Sequence, residues 1–197
     1  KNFGENLPER LDRLIASGAM PPCVVAFPDC FTKLGGNQYI NSEGTGRWAD
    51  FLMQEAVPSV EKEFGCGGFG HRGIFGKSSG GYGAMVHALL YPDFWSAAAV
   101  HSGDMGFELL YRHEFPVVLR ALAAVGGNPK IWLEKFFAAQ KTKDSDVHVI
   151  MILCQAATFD PDTSAYMNVR LPVDPYTCEF IAQRWTNWLA WDPLTIA

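Results

Sequence analysis

The sequence predicts an α/β fold: a doubly wound, mostly parallel sheet in three layers, followed by a helical cap segment. Three observations predict it. Up to His101, helical and strand-like patterns alternate as α-β-α-β-α-β, and that alternation requires a parallel sheet with helices on both faces. The strand-like runs Cys23 to Phe27, Gly73-Ile74-Phe75 and Ala97 to His101 are short and continuously apolar, as strands buried on both faces are. Beyond Asp104 the chain carries no convincing strand. A chain of 197 residues fits one domain. We therefore expect residues 1–104 to form the core and residues 105–197 a helical cap segment of the same domain.

Each element has a local reason. From Pro8 to Ser17, proline suits a first helical turn, Leu11, Leu14 and Ile15 share a face, and Gly18 supplies a stop. Pro21-Pro22 breaks the chain before the Cys23 to Phe27 run, expected as a central parallel strand ending in Pro28-Asp29. Residues 31–47 form a polar, Gly-rich loop containing Gln38, placed where pocket walls often lie. Trp48 to Phe64 is an amphipathic helix with Phe51, Leu52, Ala56, Val57 and Val60 inward and a kink at Pro58. Gly73-Ile74-Phe75 is a buried strand, Ala84 to Tyr91 a buried helix, and Ala97 to His101 another strand. Between Phe107 and Lys141 two or three helices are broken at Pro116 and at Gly126-Gly127-Asn128-Pro129. Val147 to Ala157 fits strand or helix by periodicity, and the preceding Asp144 and Asp146 favour helix. Phe159 to Asp162 reads as a turn, Asn168 to Pro175 as extended chain, and Glu179 to Leu189 as an aromatic-rich helix.

Chemistry is spelled out in one place. Gly76-Lys77-Ser78-Ser79-Gly80 is a G-x-S-x-G pattern, set between the predicted strand and helix with no loop on either side. A nucleophile elbow needs that arrangement, because a sharp turn holds the serine strained while flanking glycines let strand and helix pass without a side-chain clash. Ser78 is the expected nucleophile. Two phosphate-binding motifs compete for this region and fail on context. A P-loop ending at Gly76-Lys77-Ser78 needs glycine where His71 stands, and Gly65-Cys66-Gly67-Gly68-Phe69-Gly70 matches G-x-G-x-x-G but follows a helix and precedes a strand. In parallel sheets ligands bind at the strands' C-terminal ends, so Asp29, Ser78 and His101 should converge on one cleft.

Composition excludes several classes. The net charge is −5 with no Lys/Arg-rich run, so neither nucleic acid nor an anionic membrane is an expected partner. No apolar run approaches a membrane span, and no signal peptide is visible. The first residue is Lys1 rather than Met, which leaves the natural N-terminus and any targeting segment open. Cys23, Cys30, Cys66, Cys154 and Cys178 are odd in number and lack C-x-x-C spacing, which favours free thiols, a reducing compartment and a cytoplasmic location. Cys23 and Cys154, in apolar runs, are expected in the core.

The segments Phe27 to Thr32, Gly35 to Ser42, Gly76 to Ala84 and His101-Ser102-Gly103-Asp104 resemble the esterase family of α/β-hydrolases that includes esterase D, antigen 85 and enterochelin esterase. The resemblance implies a serine esterase of α/β-hydrolase fold, without metal or cofactor, acting on a small-molecule ester. In it Ser78 attacks the carbonyl and the backbone N–H of Ser79 supplies half of the oxyanion hole. Asp29, Gln38 and His101 are the expected pocket residues.

A serine hydrolase also needs a histidine base and a carboxylate to orient it. In α/β-hydrolases these follow the nucleophile on loops after later strands, and a second oxyanion amide comes from an earlier loop. By that pattern the chain reads as the middle of an esterase, with an incomplete sheet whose open edges invite pairing with another copy. His71, His87, His113 and His148 are expected to be structural or solvent-facing. His101, with Asp104, is the nearest substitute for the base pair, and reads more readily as a pocket wall. The alternative function is a non-catalytic or inactive module that binds a ligand or partner.

Overall fold

The computed structural model describes residues 4–197. Helix α1, Leu7–Ala16, opens with a capping box: the Asn6 side chain accepts from the Glu9 N–H at 2.9 Å, and the Glu9 carboxylate accepts from the Asn6 N–H at 3.0 Å. None of its residues is buried.

The Cys23 to Phe27 run does not form the expected strand. It joins no β-ladder among the described residues and is largely exposed, so Cys23 is a surface thiol and not a core residue. An apolar run signals a capacity for burial, but a strand also needs a hydrogen-bonding neighbour. Here Phe27 meets Phe75 edge-on, with ring centroids 6.5 Å apart.

The loop that follows is more ordered than its composition suggests. Strands β1, Asn41–Ser42, and β2, Gly46–Arg47, pair antiparallel within it. The Asn41 side chain donates to the Asp50 carboxylate at 2.9 Å and accepts from the Asp50 N–H at 3.1 Å, fixing the hairpin to the next helix. That helix runs through α2, Trp48–Asp50, a π-helical stretch, Phe51–Ala56, and α3, Val57–Phe64. The expected kink at Pro58 takes the form of this π stretch. Proline has no N–H and its ring presses on the preceding turn, and widening that turn relieves both. Gly65, left-handed at φ 61°, ends α3.

Strand β3, Gly73–Lys77, pairs in parallel with β4, Ala97–His101, in register from Gly73↔Ala97 to Lys77↔His101. Helix α4, Ser79–Leu90, covers one face of the pair. The opposite face, carrying Phe75, Ala97 and Ala99, is exposed. The parallel α/β unit is therefore present, while the larger three-layer sheet expected from the sequence is not formed among the described residues; the sheets are two-stranded.

The rest is helical: α5, Phe107–Leu110; a 3-10 turn, Arg112–Glu114; α6, Phe115–Ala123; α7, Pro129–Ala138; α8, Asp144–Phe159; a 3-10 turn, Tyr166–Asn168; α9, Ala182–Leu189; and α10, Pro193–Ile196. The Asp146 carboxylate closes the start of α8 by accepting from the Lys143 N–H at 2.8 Å. Val173 and Phe180 form an isolated antiparallel bridge ahead of α9, which starts at Ala182 rather than Glu179.

These helices enclose an aromatic core. Tyr82 of α4 stacks on Phe107 at 6.0 Å, Phe107 meets Phe159 at 5.2 Å, and Phe159 meets Trp188 at 5.3 Å, while Phe115 meets Trp188 at 5.5 Å. Aromatic side chains bury large apolar areas, and their edge-on and stacked pairs add to that stabilisation. Through Tyr82 the elbow helix is anchored in that core.

Candidate active site

The junction of β3 and α4 is built from small residues. A Cβ on Gly76 would stand 2.2 Å from the Gly80 backbone, and one on Gly81 would stand 2.8 Å from the Gly103 Cα. Glycine at these positions lets α4 start directly over the strand ends. Between them Ser78 takes φ 56°, ψ −123°, a combination that L-residues with a side chain rarely adopt. Two backbone bonds hold it there: the Ser78 N–H donates to the His101 carbonyl at 3.0 Å, and the Ser78 carbonyl accepts from the Tyr82 N–H at 2.9 Å.

The Ser78 side chain is exposed at the C-terminal end of β3. Ser79 opens α4, and its N–H is one of the helix's N-terminal donors, the positive end of the macrodipole. An exposed hydroxyl beside such a donor suits attack on a carbonyl whose oxygen becomes negative.

Of the other expected residues, only His101 hydrogen-bonds Ser78 among the described residues. His101 is joined to Ser78 through its backbone and is exposed at the last position of β4. Asp104 is half-buried, its carboxylate accepts from the Tyr111 hydroxyl at 3.2 Å, and burial pushes its pKa up. No hydrogen bond joins the His101 ring to Asp104 or to the Ser78 hydroxyl among the described residues. Asp29 is exposed and accepts from the Phe31 N–H at 3.0 Å, a local turn. Gln38 is buried, with φ 57°, and its Oε1 has no hydrogen-bond partner. The recesses of about 380 Å³, lined in part by Met53, Leu90 and Phe94, and about 180 Å³, lined in part by Lys33, Thr45 and Met167, do not include Ser78.

The remaining histidines have other surroundings. His71 is exposed just before β3, and His113 and His148 both reach Glu114, at 3.3 and 3.1 Å. His87 is fully buried on α4, touching Tyr39 and Trp95. Burial lowers its pKa, partly offset by the Tyr39 carbonyl. Sequence placed His87 inside the helix, but its partners were not legible: the Tyr39 carbonyl is 48 positions away. Trp95 is nearer, eight positions on, but it lies past the end of α4 at Leu90, where no helical spacing points to it.

The glycine run from Gly65 to Gly70 serves a structural purpose. The Gly68 N–H donates to Glu61 Oε1 at 2.7 Å, and the Arg72 guanidinium grips both Glu61 oxygens at 2.7 and 2.8 Å while lying 4.1 Å over the Phe94 ring. Paired in this way, the Glu61 carboxyl is held down at about 2. The run thus ties α3 to the start of β3. Among the described residues no cluster of His, Cys, Asp and Glu could hold a metal ion, and no helix is long and apolar enough to cross a membrane.

No curated protein matches the chain. The model of the family described as "Putative esterase" matches residues 7–158, a span that takes in α1, the elbow and most of α8. Since that match covers well over half of the sequence, the chain belongs to this esterase family.

Proposed function

We propose that the protein is a serine esterase that hydrolyses a small-molecule carboxylic ester through an acyl-enzyme on Ser78, carried on the parallel β3–α4–β4 unit of an α/β-hydrolase type of fold. One observation carries this reading: in a chain of an esterase family, Ser78 is strained at a strand-to-helix turn with its side chain exposed. Backbone strain of this kind costs on the order of 1–3 kcal/mol and persists where geometry is needed for function. In the reaction the Ser78 Oγ bonds to the carbonyl carbon as its proton passes to solvent, and the carbonyl oxygen takes the negative charge and accepts a hydrogen bond from the Ser79 N–H. When the carbonyl re-forms, the ester C–O bond breaks and the leaving oxygen takes up a proton from solvent to depart as the alcohol. Asp29, Gln38 and His101 supply the pocket wall. Water then releases the acid, or a second alcohol takes the acyl group.

A second reading has its own observation. Among the described residues no imidazole hydrogen-bonds the Ser78 hydroxyl, and loss of the base costs about a million-fold in a well-studied serine protease. That favours a non-catalytic module binding a ligand or partner. Treatment with a fluorophosphonate followed by mass spectrometry separates the two. An adduct on Ser78 that Ser78→Ala abolishes is the expected result. A folded protein that stays unlabelled and does not turn over nitrophenyl acetate gives the second reading the field.

A further inference from the structure

His87 performs a task that the esterase chemistry does not itself require. Its imidazole is completely buried between two partners: the Trp95 indole N–H donates to Nδ1 at 3.0 Å, and Nε2 lies 2.8 Å from the Tyr39 carbonyl oxygen. An indole nitrogen only donates, and a carbonyl oxygen only accepts. Nδ1 must therefore be bare and Nε2 must carry the proton, so one neutral tautomer satisfies both contacts. The chain has no freedom in this choice.

What the imidazole holds is strained. Gln38 and Tyr39 are consecutive non-glycine residues at φ 57° and 62°. Left-handed backbone at successive L-residues needs support from its surroundings. Asn37, itself buried, gives some: its Oδ1 accepts from the Tyr39 N–H at 2.7 Å, and its amide donates to the Cys30 carbonyl. His87 supplies the rest through the Tyr39 carbonyl. The Tyr39 ring is seated on Gly83, where a Cβ would come within 2.6 Å of the ring. Gly83 lies in α4, the helix that Ser78 precedes as its N-cap, so the turn rests on the helix that carries the elbow.

We infer that His87 is a positioning residue of the esterase site: with Trp95 it clamps the Gln38–Tyr39 turn onto the elbow helix and so fixes the pocket wall that carries the unpartnered Gln38 Oε1. The inference rests on the esterase reading above, and its test separates the two. Three variants of the full chain serve, His87→Phe, His87→Gln and Trp95→Phe. Glutamine retains one donor and one acceptor, whereas phenylalanine keeps only the bulk.

Hydrogen exchange is followed by mass spectrometry for peptides covering residues 37–40 and, as a reference, α8. Ester hydrolysis is followed with nitrophenyl acetate. In His87→Phe, exchange at residues 37–40 rises at least about tenfold while α8 is unchanged, and KM rises several-fold with kcat nearly constant. His87→Gln restores both, and Trp95→Phe, which removes only the tautomer-setting donor, falls between. Trp95 is only half-buried, so this variant carries the test if His87→Phe does not fold. Unchanged exchange in a folded variant, or equal acceleration throughout the molecule, overturns the clamp. A loosened turn with unaltered KM overturns the positioning role. A wild-type chain that neither hydrolyses the ester nor labels at Ser78 removes the esterase reading, and the positioning role of His87 with it, whatever the exchange shows.

Discussion

Ser78 reaches its conformation because the residues around it have no side chains to object. A Cβ at position 81 would stand 2.8 Å from the Gly103 Cα, and one at position 103 would stand 2.7 Å from the Gly81 backbone carbon. Those neighbours are backbone and cannot swing aside. Gly81→Ala and Gly103→Ala should each destabilise by about 1–3 kcal/mol, the usual range for overpacking, seen as a thermal midpoint several degrees lower. Gly80→Ala is the control. Its Cβ meets nothing within 4 Å and its backbone is helical, so it should be neutral or slightly stabilising. The strain at Ser78 itself predicts a second contrast. Ser78→Gly should be more stable than Ser78→Ala by about 1 kcal/mol, since glycine adopts φ 56°, ψ −123° without penalty and alanine does not. Urea unfolding of the two variants measures it. This part of the site was readable from sequence because G-x-S-x-G packs its requirements into five adjacent residues. The His87 clamp was not, since its contacts join residues from separate segments and leave no local pattern.

Elements were legible in proportion to how locally they are determined. Strands β3 and β4, helix α4 and the helices beyond Phe107 form where their apolar runs and caps place them, but the expected burial of both strands on both faces is not met, since neither strand contains a buried residue. The Cys23 to Phe27 run shows the limit: composition specified an apolar extended segment, but pairing depends on a neighbour that no local signal reports. The same holds for the link between α3 and β3. Nothing in Glu61 or Arg72 alone announces a bidentate pair, yet their side chains are only 19 % and 20 % exposed and meet at 2.7 Å. The Arg72 guanidinium, then the Gly68 N–H, hold the Glu61 carboxyl at about 2, below its ordinary 4.5. Between those values the unfolded chain binds more protons than the folded one, so stability rises with pH there. The contribution is fully present above about pH 4.5 and is lost as the pH falls toward about 2. Glu61→Gln should therefore lower the urea midpoint at pH 7 and leave a shallower fall between pH 4.5 and pH 2 than the wild type shows. Equal acid dependence in both proteins would place the proton uptake elsewhere.

At the scale of the whole molecule, burial is unevenly shared. Helix α8 buries a continuous run from Ile152 to Phe159, and Trp188 is fully enclosed by Tyr111, Phe115, Phe159 and Trp185. Helix α1 buries nothing, and residues 21–29 have neither a ladder nor a buried side chain. Opening α1 exposes little apolar surface, whereas opening α8 dismantles the core that also anchors α4 through Tyr82. Local opening free energies follow such differences. Amides of α1 should exchange by local fraying at a small fraction of the global free energy, while those of α8 and α4 should exchange together, near the global value. Trp188→Ala tests the coupling. Emptying so large a buried site should cost about 3–5 kcal/mol, a large share of the stability of an ordinary domain, and protection in α8 and α4 should fall by the same amount while α1 exchange stays as it was. If α4 keeps its protection in this variant, the elbow helix is held by the sheet alone, and the aromatic chain from Tyr82 to Trp188 does not transmit stability to the serine.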